Sequence, residues 1–135
     1  MKRMTWWLAP LALVACDKSL EGTYEGEYGG AYGAVDAGAA PVQQAGRLEV
    51  KVVRTAEDTL TVSFGGCTLP ATITSPRAAR IEGRACTSTL GGGPPVALRD
   101  VGGTVMIQSG KVLLTLGGTG PGGGSWTLSF SGAQR

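Results

Sequence analysis

The chain has no histidine. That removes the commonest general base, the commonest metal ligand and the usual partner of a serine or cysteine nucleophile. Charged residues make up only 16% of the sequence, so no block of like charge argues for nucleic acid. Aromatic residues make up 6%, and beyond residue 16 no segment carries the 3.6-residue apolar stripe of an amphipathic helix. The longest apolar run, Trp6 to Ala15, is about half of the roughly 20 residues a bilayer-spanning helix needs, and Pro10 interrupts it. A transmembrane anchor is therefore not expected from this run. Cysteine is scarce, at three residues, whereas glycine is abundant at 23.

What is present begins with the N-terminus. Lys2 and Arg3 precede the apolar run, and small residues follow before Cys16, the layout of an export signal. Leu13-Val14-Ala15-Cys16 resembles the lipobox of bacterial lipoproteins: an aliphatic residue, a small or aliphatic one, a small one, then Cys. The resemblance implies cleavage before Cys16, diacylglycerol on its thiol and acylation of its new amino group. Two or more acyl chains anchor stably where one is marginal. Residues 1–15 are accordingly read as a signal, 16–19 as a short tether, 20–132 as one β domain and 133–135 as a tail. Asp17, directly after the lipidated residue, resembles an inner-membrane retention signal. Lys2 and Arg3 account for the whole formal excess of +2, so removing them leaves a chain near neutrality.

With Cys16 committed to lipid, Cys67 and Cys86 remain as an even pair in an exported chain. A structural disulfide follows. Their spacing is far from that of a Cys-x-x-Cys redox motif.

Apolar and polar residues alternate through most of residues 20–132, which predicts strands. Tyr24, Gly26 and Tyr28 share one face and Glu25 and Glu27 the other. Leu48, Val50 and Val52 lead through Ala56-Glu57-Asp58 into Leu60, Val62 and Phe64, the clearest hairpin. Ile81, Gly83 and Ala85 are expected opposite Glu82, Arg84 and Cys86. Val96 to Val101 reads as a short strand, and Ser109-Gly110 as a two-residue hairpin turn. Trp126, Leu128 and Phe130 share the last apolar face. Residues 33–46, Leu90 to Pro95 and Gly117 to Gly124 read as loops from their composition, the first of them flexible. An all-β antiparallel barrel or sandwich of about seven to eight strands results, with the barrel preferred because closure removes exposed edges.

No catalytic set, metal site or cofactor emerges. Glu25/Glu27 and Glu57-Asp58 are the only paired carboxylates that invite acid–base chemistry, and solvated surface is the simpler account of both. The glycine runs lack the Lys-Ser/Thr and helix that a phosphate loop requires. Tyr24, Tyr28 and Tyr32 form a candidate binding surface. The competing account has Tyr24 and Tyr28 closing one end of the core and Tyr32 in the loop.

The sequence therefore points to a non-enzymatic, lipid-anchored envelope module at the inner or outer membrane. Its expected partners are the membrane, an envelope protein or a small apolar ligand. Alternatives are a lipocalin-like carrier, with the core faces around Leu60, Phe64, Ile107 and Trp126 enclosing the ligand, and an inhibitor of a lysozyme-type hydrolase, which rests on architecture alone.

Overall fold

A computed structural model of the chain describes residues 20–32, 42–90 and 95–135. Within them the chain forms eight strands: β1 (Gly22–Tyr32), β2 (Val42–Ala56), β3 (Thr59–Phe64), β4 (Cys67–Ser75), β5 (Ala78–Ser88), β6 (Val96–Gln108), β7 (Lys111–Thr119) and β8 (Ser125–Gln134). Each pairs antiparallel with the next, and β8 returns to β1, so the sheet closes into a barrel. Among the described residues the only helical segment is a single 3-10 turn, Pro121–Gly123. Every strand sends apolar side chains inward, from Tyr24 and Val50 through Leu69 and Val105 to Leu114 and Phe130, and together they form one core. No helix among the described residues is long and apolar enough to cross a membrane.

Closure of the barrel requires β1 and β8 to approach closely. Gly26 stands opposite Gly132 in their register. A methyl group at Gly26 would overlap the Ser131 carbonyl oxygen and the Gly132 Cα. One at Gly132 would come within 2.7 Å of the Glu25 carbonyl oxygen and 2.5 Å of the Phe130 ring. Two residues without Cβ atoms thus let the seam close over the aromatic ring beneath it.

Several segments that composition marks as loop are strand. β2 begins at Val42, so residues 42–46 continue the ladder, with Gly46 opposite Tyr28. The Tyr28 ring lies 3.4 Å from where a Gly46 Cβ would stand, so the aromatic ring covers the bare backbone. The remainder of the expected loop, 33–41, lies outside the described residues. β7 runs on through Gly117 and Gly118 to Thr119. β8 includes Ala133 and Gln134, which the sequence assigns to a tail.

The alternation expected in β5 fails for a physical reason. Ladder irregularities fall between Ile81 and Arg84 and again between Arg84 and Cys86. They reverse the side-chain phase: Ile81 points inward, Gly83 and Ala85 are exposed, and Cys86 turns towards the core. On the partner strand, Asp100 adopts φ 53° and Gly103 φ 155°. The short strand expected over Val96 to Val101 therefore runs on through a bulge as one long β6. Ser109 and Gly110 have φ 54° and 78°, the two positive values that a type I′ hairpin turn needs.

Substituting Gly26 by Ala is expected to destabilise the barrel by about 2–3 kcal/mol, because the overlapping atoms are backbone and cannot move aside. Gly29, three positions on, meets nothing within 4 Å, so Gly29→Ala is expected to be neutral or slightly stabilising. Urea denaturation midpoints of the two variants check the contrast.

Candidate functional site

The two cysteines left after Cys16 are joined. Cys67, at the start of β4, bonds Cys86 in β5, with their Cα atoms 5.1 Å apart. β4 and β5 share only three registered pairs, Thr72 with Arg80, Ile73 with Ala79 and Ser75 with Ala78, all near one end. Above them lies Pro70, which has no amide hydrogen to offer a ladder. The disulfide crosses this thinly bonded stretch and holds β4 against β5. Nearby, the Thr89 amide donates to the Gly65 carbonyl (2.7 Å), tying the β3–β4 turn to the end of β5.

Tyr24 and Tyr28 do not form an outer surface. Both are buried inside the barrel, Tyr24 to 2% exposure. The Tyr24 hydroxyl donates to the Leu20 carbonyl (2.7 Å), fastening the buried residue that precedes β1. Burial raises the Tyr24 phenol above its ordinary pKa of 10.0. Tyr32 belongs to β1 rather than to a loop.

The paired acids lie outside the barrel in ordinary surface roles. Glu25 and Glu49 face each other across β1 and β2, and Arg135 bridges them, Nε to Glu25 Oε1 at 3.3 Å and Nη1 to Glu49 Oε2 at 2.8 Å. Glu27 stands opposite Arg47. Glu57 and Asp58 form the β2–β3 turn, where Arg54 donates to the Glu57 carbonyl (2.7 Å) and Thr59 to the Asp58 carboxylate (3.2 Å). Among the described residues no group of three or more His, Cys, Asp or Glu could hold a metal ion. The apolar residues expected to enclose a ligand, including Leu60, Phe64 and Trp126, pack on one another in the core, with half-buried Ile107 against them.

Two features escape a reading along the chain. First, the barrel has unequal ends. Two-residue turns, 57–58, 76–77 and 109–110, join strands at the end where Leu20 enters. At the opposite end β3–β4 is joined by the two-residue turn 65–66, but β1–β2, β5–β6 and β7–β8 are joined by longer segments, 33–41, 89–95 and 120–124. The described residues of those joins and the adjoining strand ends, Gly30–Tyr32, 42–44, 88–90, 95–97 and 119–125, include no charged side chain. Second, charge is uneven around the wall. β5, β6 and β7, with the Pro76-Arg77 turn, carry Arg77, Arg80, Arg84, Arg99 and Lys111 against Glu82 and Asp100. Hydropathy along the chain cannot reveal this, because the residues are distant in sequence and the total charge is small.

Cys16, the one modification site the sequence nominates, lies outside the described residues. The chain matches no family model, no curated protein and no solved structure.

Two outcomes are expected. Reducing the disulfide should cost about 3 kcal/mol for a loop of this size. It should also raise amide exchange first in Cys67–Ala71 and Ile81–Cys86, and hydrogen exchange with and without reductant checks the pattern; a uniform rise would contradict it. Because the folded barrel disfavours the Tyr24 phenolate, the unfolded chain releases that proton first as pH climbs past about 10. Stability should therefore fall above that pH. Tyr24→Phe should flatten the fall while losing about 1 kcal/mol at neutral pH from the hydrogen bond to Leu20, as read by denaturation at stepped pH.

Proposed function

We propose that this chain is a cell-envelope lipoprotein, anchored through Cys16, whose barrel is a non-enzymatic binding or structural module that presents its long-connection end to a partner. The observation that carries the reading is the placement of Leu20 at the tight-turn end of the barrel. Only Asp17, Lys18 and Ser19 separate it from Cys16. At about 3.3 Å per extended residue the tether spans roughly 10 Å, so a lipid on Cys16 holds the tight-turn end at the headgroups.

β1 has 11 residues. With a strand tilt of roughly 40°, the opposite end stands about 25 Å further out. Loops held by a rigid scaffold are where binding residues concentrate. Here they are short of charge and rich in glycine, which suits a partner recognised by shape and backbone hydrogen bonds. The absence of histidine and the surface roles of the paired acids support a non-enzymatic role. Packing of the apolar side chains on one another supports binding outside the barrel rather than carriage within it.

Growth with labelled palmitate is expected to label the native chain and leave Cys16→Ala unlabelled, with the native chain fractionating with membranes. An unmodified chain released from the cell would overturn the anchor, and turnover of a cell-wall substrate by the purified protein would overturn the non-enzymatic role.

A further inference from the structure

Large exposed apolar side chains are few on this barrel. Among the described residues they are Val53, 49% exposed on β2, and Met106, 37% exposed on β6. Three strands lie between them either way around the closed ring of eight, so they lie on opposite walls. Their surroundings differ. Met106 pairs with Ala78 on one side and Leu113 on the other, both half-buried on the outer face. Three cations surround this apolar strip. Arg80 stands opposite Thr104, two residues from Met106, and Lys111 opposite Gln108. Arg77 sits in the turn whose carbonyl accepts a hydrogen bond from the Ile107 amide (2.9 Å).

The strands on either side carry no acid, β4 presenting Thr72 and Thr74 and β8 Ser129, Ser131 and Ala133; the nearest carboxylates are Glu82, two residues beyond Arg80 on β5, and Glu27 of β1, which lines a surface depression with Leu113. Among the described residues the ion pairs are those of Arg135, on the β1–β2 side, and none involves Arg77, Arg80 or Lys111. The strip lies beside the tight turns, at the same end as Leu20.

We infer that the wall of β5, β6 and β7 around Met106 is a second membrane contact, which seats the barrel against an anionic phospholipid surface and leans it to one side. The inference rests on the lipid anchor proposed above. Two observations select the occupant. The tether from Cys16 leaves this end of the barrel within roughly 10 Å of headgroups. The strip also combines what an interfacial contact needs: apolar side chains that enter the headgroup layer, and cations in excess of acids that meet its negative potential. A Lys or Arg near such a surface contributes about a fivefold gain in affinity, and salt screens it within a Debye length. Val53 on the opposite wall, where Lys51 and Arg54 are matched by Glu49 and the Glu57-Asp58 turn, lacks this excess of cations.

The test places one tryptophan on each wall. The full chain carrying Met106→Trp or Val53→Trp is purified and incorporated into phosphatidylcholine vesicles with and without phosphatidylglycerol, some lipids bearing bromine as a quencher. Fluorescence is read against the native background. The tryptophan at 106 should be quenched in the phosphatidylglycerol vesicles and the one at 53 much less. Added salt, or combining Arg77→Gln, Arg80→Gln and Lys111→Gln, should abolish the difference. Equal quenching at both positions, or none at 106, would overturn the inference, as would burial of the strip in a dimer detected by ultracentrifugation.

Intact mass reports acylation of Cys16 separately. Should the chain carry no lipid, the anchor fails on its own, and the wall is still read by co-sedimentation with the same vesicles. The three Gln substitutions should then weaken sedimentation by about a hundredfold, at about fivefold per charge, and an unchanged affinity would overturn the inference.

Discussion

The structure depends on the meeting of β1 with β8. Eight antiparallel strands have an inside only if the first and last join, and here they join through a pair of facing glycines. Gly26 and Gly132 bring two backbones closer than any side chain would allow, with the Phe130 ring packed directly beneath. The seam is reinforced on its outer face. The Arg135 amide donates to the Thr23 carbonyl (2.9 Å), while its guanidinium spans Glu25 and Glu49, two carboxylates that would otherwise repel across β1 and β2. These exposed ion pairs contribute little individually. Their geometry nevertheless places the last residue of the chain across the first two strands.

A second constraint acts half a turn away. Between β4 and β5 the ladder is short and Pro70 withholds a donor, so a covalent bond stands where hydrogen bonds are few. Because the bulges of β5 and β6 turn Cys86 towards the interior, the bond lies partly in the core, with Cys67 1% exposed. Bulge, proline and disulfide form one local solution: the bulges rotate the cysteine into reach, and the disulfide secures the seam the proline weakens.

Much of this architecture is legible in the sequence. Strict alternation at Leu60-Val62-Phe64 and Trp126-Leu128-Phe130 marks strands buried on one face, and Ser109-Gly110 marks its turn by residues that tolerate positive φ. The even pair of cysteines marks the disulfide. Illegible are features that interrupt a period of two or disguise it. A bulge leaves Ile81 to Cys86 looking like an unbroken strand while reversing its faces. Glycines at 46, 117 and 118 look like loop, because composition does not tell a flexible glycine from one covered by a tyrosine ring or close to a neighbouring strand. For the candidate sites, Tyr24 and Tyr28 are found by the same alternation that places them in the core, which is why a surface role does not follow from it. The basic wall is hidden because only the pairing of β5, β6 and β7 brings residues 77, 80, 106, 111 and 113 together, in a chain whose net charge is small.

The order of the strands also sets a sequence of events. Seven of the eight seams join neighbours along the chain, so each asks for little more than the closing of a short loop. The eighth joins Gly22–Tyr32 to Ser125–Gln134 across nearly the whole domain, a distant contact of the kind that slows folding. As the chain emerges from its N-terminus, β1 is the first strand delivered and the last to gain its second partner. Until β8 arrives, the free edge of β1 remains open to any other extended chain, so the barrel's vulnerability to mispairing is concentrated in time at its first strand.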